Sequence, residues 1–146
     1  MRKTSSAFWD TSAVVPLCAH EATSAWARRN LREYGRIAVW WATPVEAQSA
    51  FARLSREGAL TAAQKARAVT QLHRLQTAWI EILPTEEIRA SATDLIQRYV
   101  LRSADAFQLA AALVWCDNRA RNRTFITMDD KLALAAEEAG FSLLHP

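Results

Sequence analysis

The sequence predicts an α/β fold, a three-layer domain in which a mainly parallel central β-sheet is flanked by α-helices. Three observations lead there. Short apolar runs rich in Val, Ile, Phe and Trp alternate with longer segments of helical period, the pattern of strands joined by helical crossovers. Gly35, Gly58 and Gly140 punctuate the ends of helical segments. Four carboxylates, Asp10, Glu46, Asp105 and Asp129, each stand just past an apolar run or at the opening of a helical stretch. In a parallel sheet those positions converge on one edge, so acids far apart in sequence become neighbours.

Taken in order, Ala7 to Asp10 reads as the first strand, followed by a short helix through Val14 to Cys18 and an amphipathic one from about Ala22 to Tyr34. Gly35 stops it. Ile37 to Thr43, rich in Val and Trp, is the second strand. Pro44 suits the first position of a helix that reaches about Glu57 and ends at Gly58. Thr61 caps a long periodic helix to about Ala78, and Ile80 to Leu83 forms a third strand. Thr85-Glu86-Glu87 opens a helix to Tyr99. The next begins near Ser103 and runs through Leu109, Leu113 and Cys116. Thr124 to Thr127 is a short strand, Asp129 starts a last helix ended by Gly140, and Ser142 to Leu144 completes the sheet.

Composition narrows the function classes. At 146 residues the chain fits one domain, residues 1–146, able to close its own core. With 51% hydrophobic and 23% charged residues it is set to fold rather than remain disordered. Lys and Arg total 18 against 15 Asp and Glu, a formal charge of +3 that permits a polyanionic partner without diagnosing one. Cys18 and Cys116 are isolated among apolar residues, as structural thiols in a reducing compartment would be. His20, His73 and His145 have no metal-ligand spacing. Met1-Arg2-Lys3 and the apolar stretch to Leu17 imitate a leader, but Asp10 interrupts it; the expected location is cytoplasmic, with no membrane span.

Each acid has an alternative reading as a helix cap. Thr43-Pro44-Val45-Glu46 has capping-box spacing, and Asp105 lies near a helix start. Thr127-Met128-Asp129-Asp130 makes Asp130 the capping acid and leaves Asp129 over. Asp10 follows Phe8-Trp9 at a strand end, where a charge is costly unless it finds a cation or hydrogen-bond partners. Carboxylates suffice to attract a hard divalent cation, which prefers oxygen ligands and water. Asp94, four residues before Arg98, has ordinary surface ion-pair spacing and is set aside.

Asp10-Thr11-Ser12-Ala13 after a strand, Pro44-Val45-Glu46, Leu101-Arg102-Ser103-Ala104-Asp105-Ala106 leading into Leu109-Ala110-Ala111-Ala112-Leu113, and Phe125-Ile126-Thr127-Met128-Asp129 together resemble the PIN domain. The best match is to the VapC-type toxins of bacterial toxin-antitoxin systems. The ordered set carries the resemblance, over essentially the whole chain. It implies a PIN-like three-layer fold and a Mg²⁺- or Mn²⁺-dependent endoribonuclease. Asp10 and Asp105 would ligate the principal ion, with Glu46 and Asp129 acting through water or holding a second. Thr127 matches the family's hydroxyl position, and Thr11 is a second supporting hydroxyl. Asp130 departs from the pattern, since relatives often carry a basic residue there. The resemblance further implies RNA ends bearing 5′-phosphate and 3′-hydroxyl, a homodimer, and silencing by a VapB-like antitoxin whose C-terminal helix docks in an apolar groove and can bring a basic residue to the acids.

The surface around Trp26 or Leu72-Leu75 is the expected docking face. Trp9, Trp40 and Trp41 near the acids read as core residues with base stacking as the alternative. Two other classes compete with a nuclease. One is a non-catalytic PIN-like module that binds nucleic acid or protein and whose acids only cap helices or hold a structural ion. The other, a receiver-like or phosphatase-like domain, requires a lysine at a later strand end, and none is evident.

Overall fold

The apolar run around Phe8 becomes β1 (Ser6–Trp9), the middle strand of a five-stranded sheet in a computed structural model that describes residues 4–146. The basic Met1-Arg2-Lys3 weighed as part of a leader lies outside the described residues. After β1 come α1 (Thr11–Cys18), α2 (Ser24–Glu33), β2 (Arg36–Trp40), α3 (Thr43–Arg56), α4 (Ala62–Gln76) and β3 (Ile80–Ile82). The chain continues with α5 (Glu86–Arg98), α6 (Ser103–Trp115), β4 (Thr124–Ile126), α7 (Asp130–Glu138) and β5 (Ser142–Leu144).

All four strand pairs are parallel, in the order β3-β2-β1-β4-β5. The chain therefore steps outward from β1 through β2 to β3, then returns past β1 to β4 and β5. The reversal lies between β1 and β4, and the crevice beyond the carboxyl ends of two such strands is where open α/β sheets bind ligands.

Strand alternation divides the core into two halves. Ala7, Trp9, Ile37, Val39 and Ile126 face one way and pack with Val14, Ala27, Phe51 and Leu72 from α1 to α4. Phe8, Ala38, Trp40 and Phe125 face the other and pack with Ile88, Leu95, Leu109 and Leu132 from α5, α6 and α7. This is the three-layer architecture the sequence predicts. Trp9 and Trp40 are buried as core residues, Trp40 stacking on Phe107 at 5.5 Å with an interplanar angle of 3°.

Boundary differences have local causes. The first helix starts at Thr11 rather than near Val14 because Asp10 caps it. The second strand ends at Trp40 rather than Thr43, since Trp41 and Ala42 turn and Thr43 is already helical. Thr61 makes the expected cap as a full capping box with Gln64. Leu72 is fully buried, which removes it from the expected docking face: α4 turns that residue inward where it packs on α1 and α3. Cys116 is buried and Cys18 half-buried, both free, and burial pushes the Cys18 thiol up to about 12. Among the described residues no helix is long and apolar enough to cross a membrane.

Candidate active site

Four helices begin at the carboxyl edge of the sheet, and the acids arrive there with them. β1 ends at Trp9, and the next residue, Asp10, is the N-cap of α1. Its Oδ2 accepts hydrogen bonds from the Ser12 amide at 3.4 Å, the Ser12 hydroxyl at 2.5 Å and the Thr127 hydroxyl at 2.9 Å. Oδ1 has no hydrogen-bond partner among the described residues. Glu46 stands in the first turn of α3 and Asp105 in the first turn of α6. Asp129 follows β4 as the N-cap of α7, its Oδ1 accepting from the Leu132 amide at 2.7 Å.

Those four acids line a single cavity of about 420 Å³, together with Thr11, Ser12, Glu21 and Arg53. A second cavity of about 550 Å³ shares Asp105 and Asp129 and adds Arg102, Asp130 and Lys131. Asp10 is 5% exposed; burial, reinforced by the Asp105 charge, outweighs its hydrogen bonds and pushes its carboxyl up to about 6. Burial together with Asp10 and Asp105 raises Glu46 to about 7, against hydrogen bonds from Gln108 and Thr11. Asp105 is raised by burial and by Asp129, with Arg102 and Lys131 pulling the other way. The acids feel one another, as a shared site requires.

The capping alternatives fare unequally. The box at Thr43-Glu46 does not form: Ala42 holds the N-cap position without a side-chain hydrogen bond, and Glu46 Oε1 instead accepts from Gln108 Nε2 at 3.0 Å. Asp129, not Asp130, caps α7, and Asp130 turns outward to His145 Nε2 at 2.7 Å. Asp10 and Asp129 thus cap helices and face the cavity at once.

Sequence reasoning missed three polar residues. Ser12 ties Asp10 to the loop after β4, its hydroxyl accepting from the Met128 amide at 2.8 Å while the Thr127 hydroxyl accepts from the Asp129 amide at 3.0 Å. Glu21 is a fifth acid on the cavity wall, raised by burial and lowered by Arg53. Gln108 is fully buried, and its Oε1 has no partner among the described residues, at a cost of roughly 1–3 kcal/mol. An amide between Phe107 and the apolar run Leu109 to Leu113 was the available signal for Gln108; Glu21 carried none.

A PIN domain model matches residues 7–138. The chain belongs to the PIN domain family. Comparison with curated proteins found no match. Among solved structures, a toxin-antitoxin complex from Klebsiella pneumoniae shares the PIN fold with a TM-score of 0.64 at 20% identity, over 88% of this chain and 91% of that one. PAE2754 from Pyrobaculum aerophilum gives 0.61 at 19% identity, over 95% and 89%. At such identities the likeness is one of fold.

PIN domains typically use divalent metal ions, and the donor set here is one of carboxylate oxygens. Among the described residues no three His, Cys, Asp or Glu side chains converge to close a shell by themselves. The described acids do not form an all-protein cage of the structural zinc type. Such a set suits Mg²⁺, which is commonly held by one or two carboxylates and keeps several waters. The free Oδ1 of Asp10 and the carboxyls of Asp10, Glu46 and Asp105, raised by burial and then by neighbouring acids, mark groups whose charge a cation would stabilise.

Proposed function

We propose that this PIN domain, read as one unit over residues 1–146, is a Mg²⁺- or Mn²⁺-dependent endoribonuclease, the toxin of a VapBC-like toxin-antitoxin system. One observation carries the reading: acids from four separated segments line one cavity at the sheet's reversal point, two of them pushed up to about 6 and about 7 by burial, with neighbouring acid charges adding to it. Asp10 and Asp105 would hold the principal ion, with Glu46 and Asp129 reaching it through water. Such an ion supplies water activation and neutralises charge on a phosphodiester. Thr127 and Ser12 orient the Asp10 carboxylate, Thr11 supports Glu46, and Arg102 and Lys131 border the acids where a polyanion would lie. Cytoplasmic RNA is the substrate.

The antitoxin and a second copy of the chain are the proposed partners. With Leu72 buried, half-buried Trp26 and Leu75 remain for an apolar helix to meet on that side. The toxin-antitoxin complex among the structural neighbours supports the antitoxin reading. A sedimentation measurement that finds only monomer at micromolar concentration would remove the homodimer.

The deciding experiment incubates the purified chain with total RNA and Mn²⁺ or Mg²⁺ and maps new 5′ ends, beside EDTA and Asp10→Asn controls. Discrete ends lost in both controls establish the nuclease. The caps made by Asp10 and Asp129 favour a second reading, a binding module whose acids serve the fold; metal-independent RNA binding without cleavage would select it.

A further inference from the structure

Gln108 lies one helical turn after Asp105 in α6, so the two share a face. It is 1% exposed and flanked by the fully buried Leu109, Ala110, Ala111 and Ala112. An amide in such a place is costly unless its atoms are partnered. Its Nε2 donates to Thr11 Oγ1 at 2.8 Å and to Glu46 Oε1 at 3.0 Å, with Thr43 Oγ1 at 3.4 Å. The Thr11 hydroxyl in turn donates to Thr43 Oγ1 at 3.3 Å. Thr11 is in α1, Thr43 and Glu46 are in α3, and Gln108 is in α6. One side chain therefore joins the three helices that carry Asp10, Glu46 and Asp105 at their openings.

The amide's orientation follows from the same contacts. Turned over, Oε1 would meet the Glu46 carboxylate, an acceptor facing an acceptor. The unpartnered Oε1 is the consequence of pointing Nε2 at Glu46.

We propose that Gln108 is the positioning residue of the acid cluster: by gripping Glu46 Oε1 and tying α1 and α3 to α6, it holds Glu46 beside Asp10 and leaves Oε2 for the divalent cation. The proposal rests on the metal-dependent reading above. Without the grip, Glu46 swings away from the like charge of Asp10 toward solvent, and the acids no longer present their oxygens together. A merely structural amide would hold the helices and leave cation affinity unchanged.

The test uses the full chain, stripped with EDTA and titrated with Mn²⁺ by calorimetry and by Mn²⁺ paramagnetic resonance, with thermal melts alongside. Gln108→Met keeps the length and removes both donors; Gln108→Leu is the second variant. Either is expected to weaken Mn²⁺ binding about tenfold or more, to melt no lower than wild type in EDTA, and to cost nothing further in a Glu46→Gln background. Wild-type Mn²⁺ affinity in a folded variant would overturn the proposal, as would an equal loss with and without Glu46. If neither variant folds, Gln108 is structural and the proposal falls. A wild-type chain that binds Mn²⁺ without cutting RNA defeats the nuclease reading and leaves this one standing; one that binds no Mn²⁺ defeats this one.

Discussion

Asp10→Asn should stabilise the metal-free protein while abolishing its metal site. Asp10 is 5% exposed, and its carboxyl rises from 3.8 to about 6 on folding, chiefly through burial. A folded-state value above the unfolded one gives a contribution that is fully present below pH 3.8 and lost as pH rises through about 6. At about 1.4 kcal/mol per pH unit that loss is about 3 kcal/mol. Asparagine stays neutral like the protonated acid, and its carbonyl can accept the Thr127 and Ser12 hydroxyls, so the variant escapes the loss. In EDTA the two proteins should melt together below about pH 4 and diverge until about pH 7, where the variant melts roughly 6–12 °C higher. Added Mn²⁺ should close the gap from the wild-type side only. Melts or urea titrations across that range are the assay. A variant that melts at or below wild type near pH 8 in EDTA would refute the claim that Asp10 is held as a destabilised charge.

Asp105→Asn should reduce RNA cleavage to the EDTA level, whereas Glu46→Gln, acting through water, should cost about 10- to 100-fold in metal affinity; equal cleavage by all three proteins would sink the assignment. Leu72→Ala should destabilise by about 2–5 kcal/mol by leaving a core cavity, read as a shifted urea midpoint; a near-neutral effect would mean that residue is available for docking after all. Trp41, 52% exposed in the turn that follows β2, is the tryptophan of the three left to stack a base. Trp41→Ala should leave the melting temperature unchanged and raise KM for single-stranded RNA by roughly 5- to 100-fold, and an unchanged KM would end that role.

The strands and helices were legible because hydrophobic period and caps act locally: Thr61 with Gln64 and Thr85 with the Ile88 amide form the caps their spacing announces. The four cavity acids were legible because a parallel sheet sends strand ends to one edge, whatever lies between them in sequence. What escaped depends on how the layers meet. Leu72 and Leu75 have the same residue type three positions apart, and only the docking of α4 on α1 and α3 buries the first fully. The Thr43-Glu46 spacing is that of a capping box, yet the chain turns at Trp41 and Ala42, so Thr43 enters the helix and Glu46 is taken by Gln108. His145 approaches the site by bonding to the Thr127 carbonyl and Asp130, a contact made just past the fifth strand and invisible from His spacing.

Helix capping does not exclude the proposed cation binding at this edge, and the caps account for how the acids are held close to one another there. The N-termini of α1, α3, α6 and α7 meet the carboxylates, and each supplies partial positive charge and unpaired N–H groups to a nearby acid. Asp10 and Asp129 spend one oxygen each on those groups. That satisfies part of the charge without neutralising it, so the carboxyls of Asp10, Glu46 and Asp105 stay raised. Caps that served the fold alone would need neither four acids on one cavity wall nor a buried amide spent on Glu46. Replacing all four acids by amides separates the roles, because asparagine caps nearly as well as aspartate. The quadruple variant should remain folded, melt higher than wild type in EDTA at about pH 8, and show no response to Mn²⁺; a variant that unfolds instead would assign the cluster to the fold.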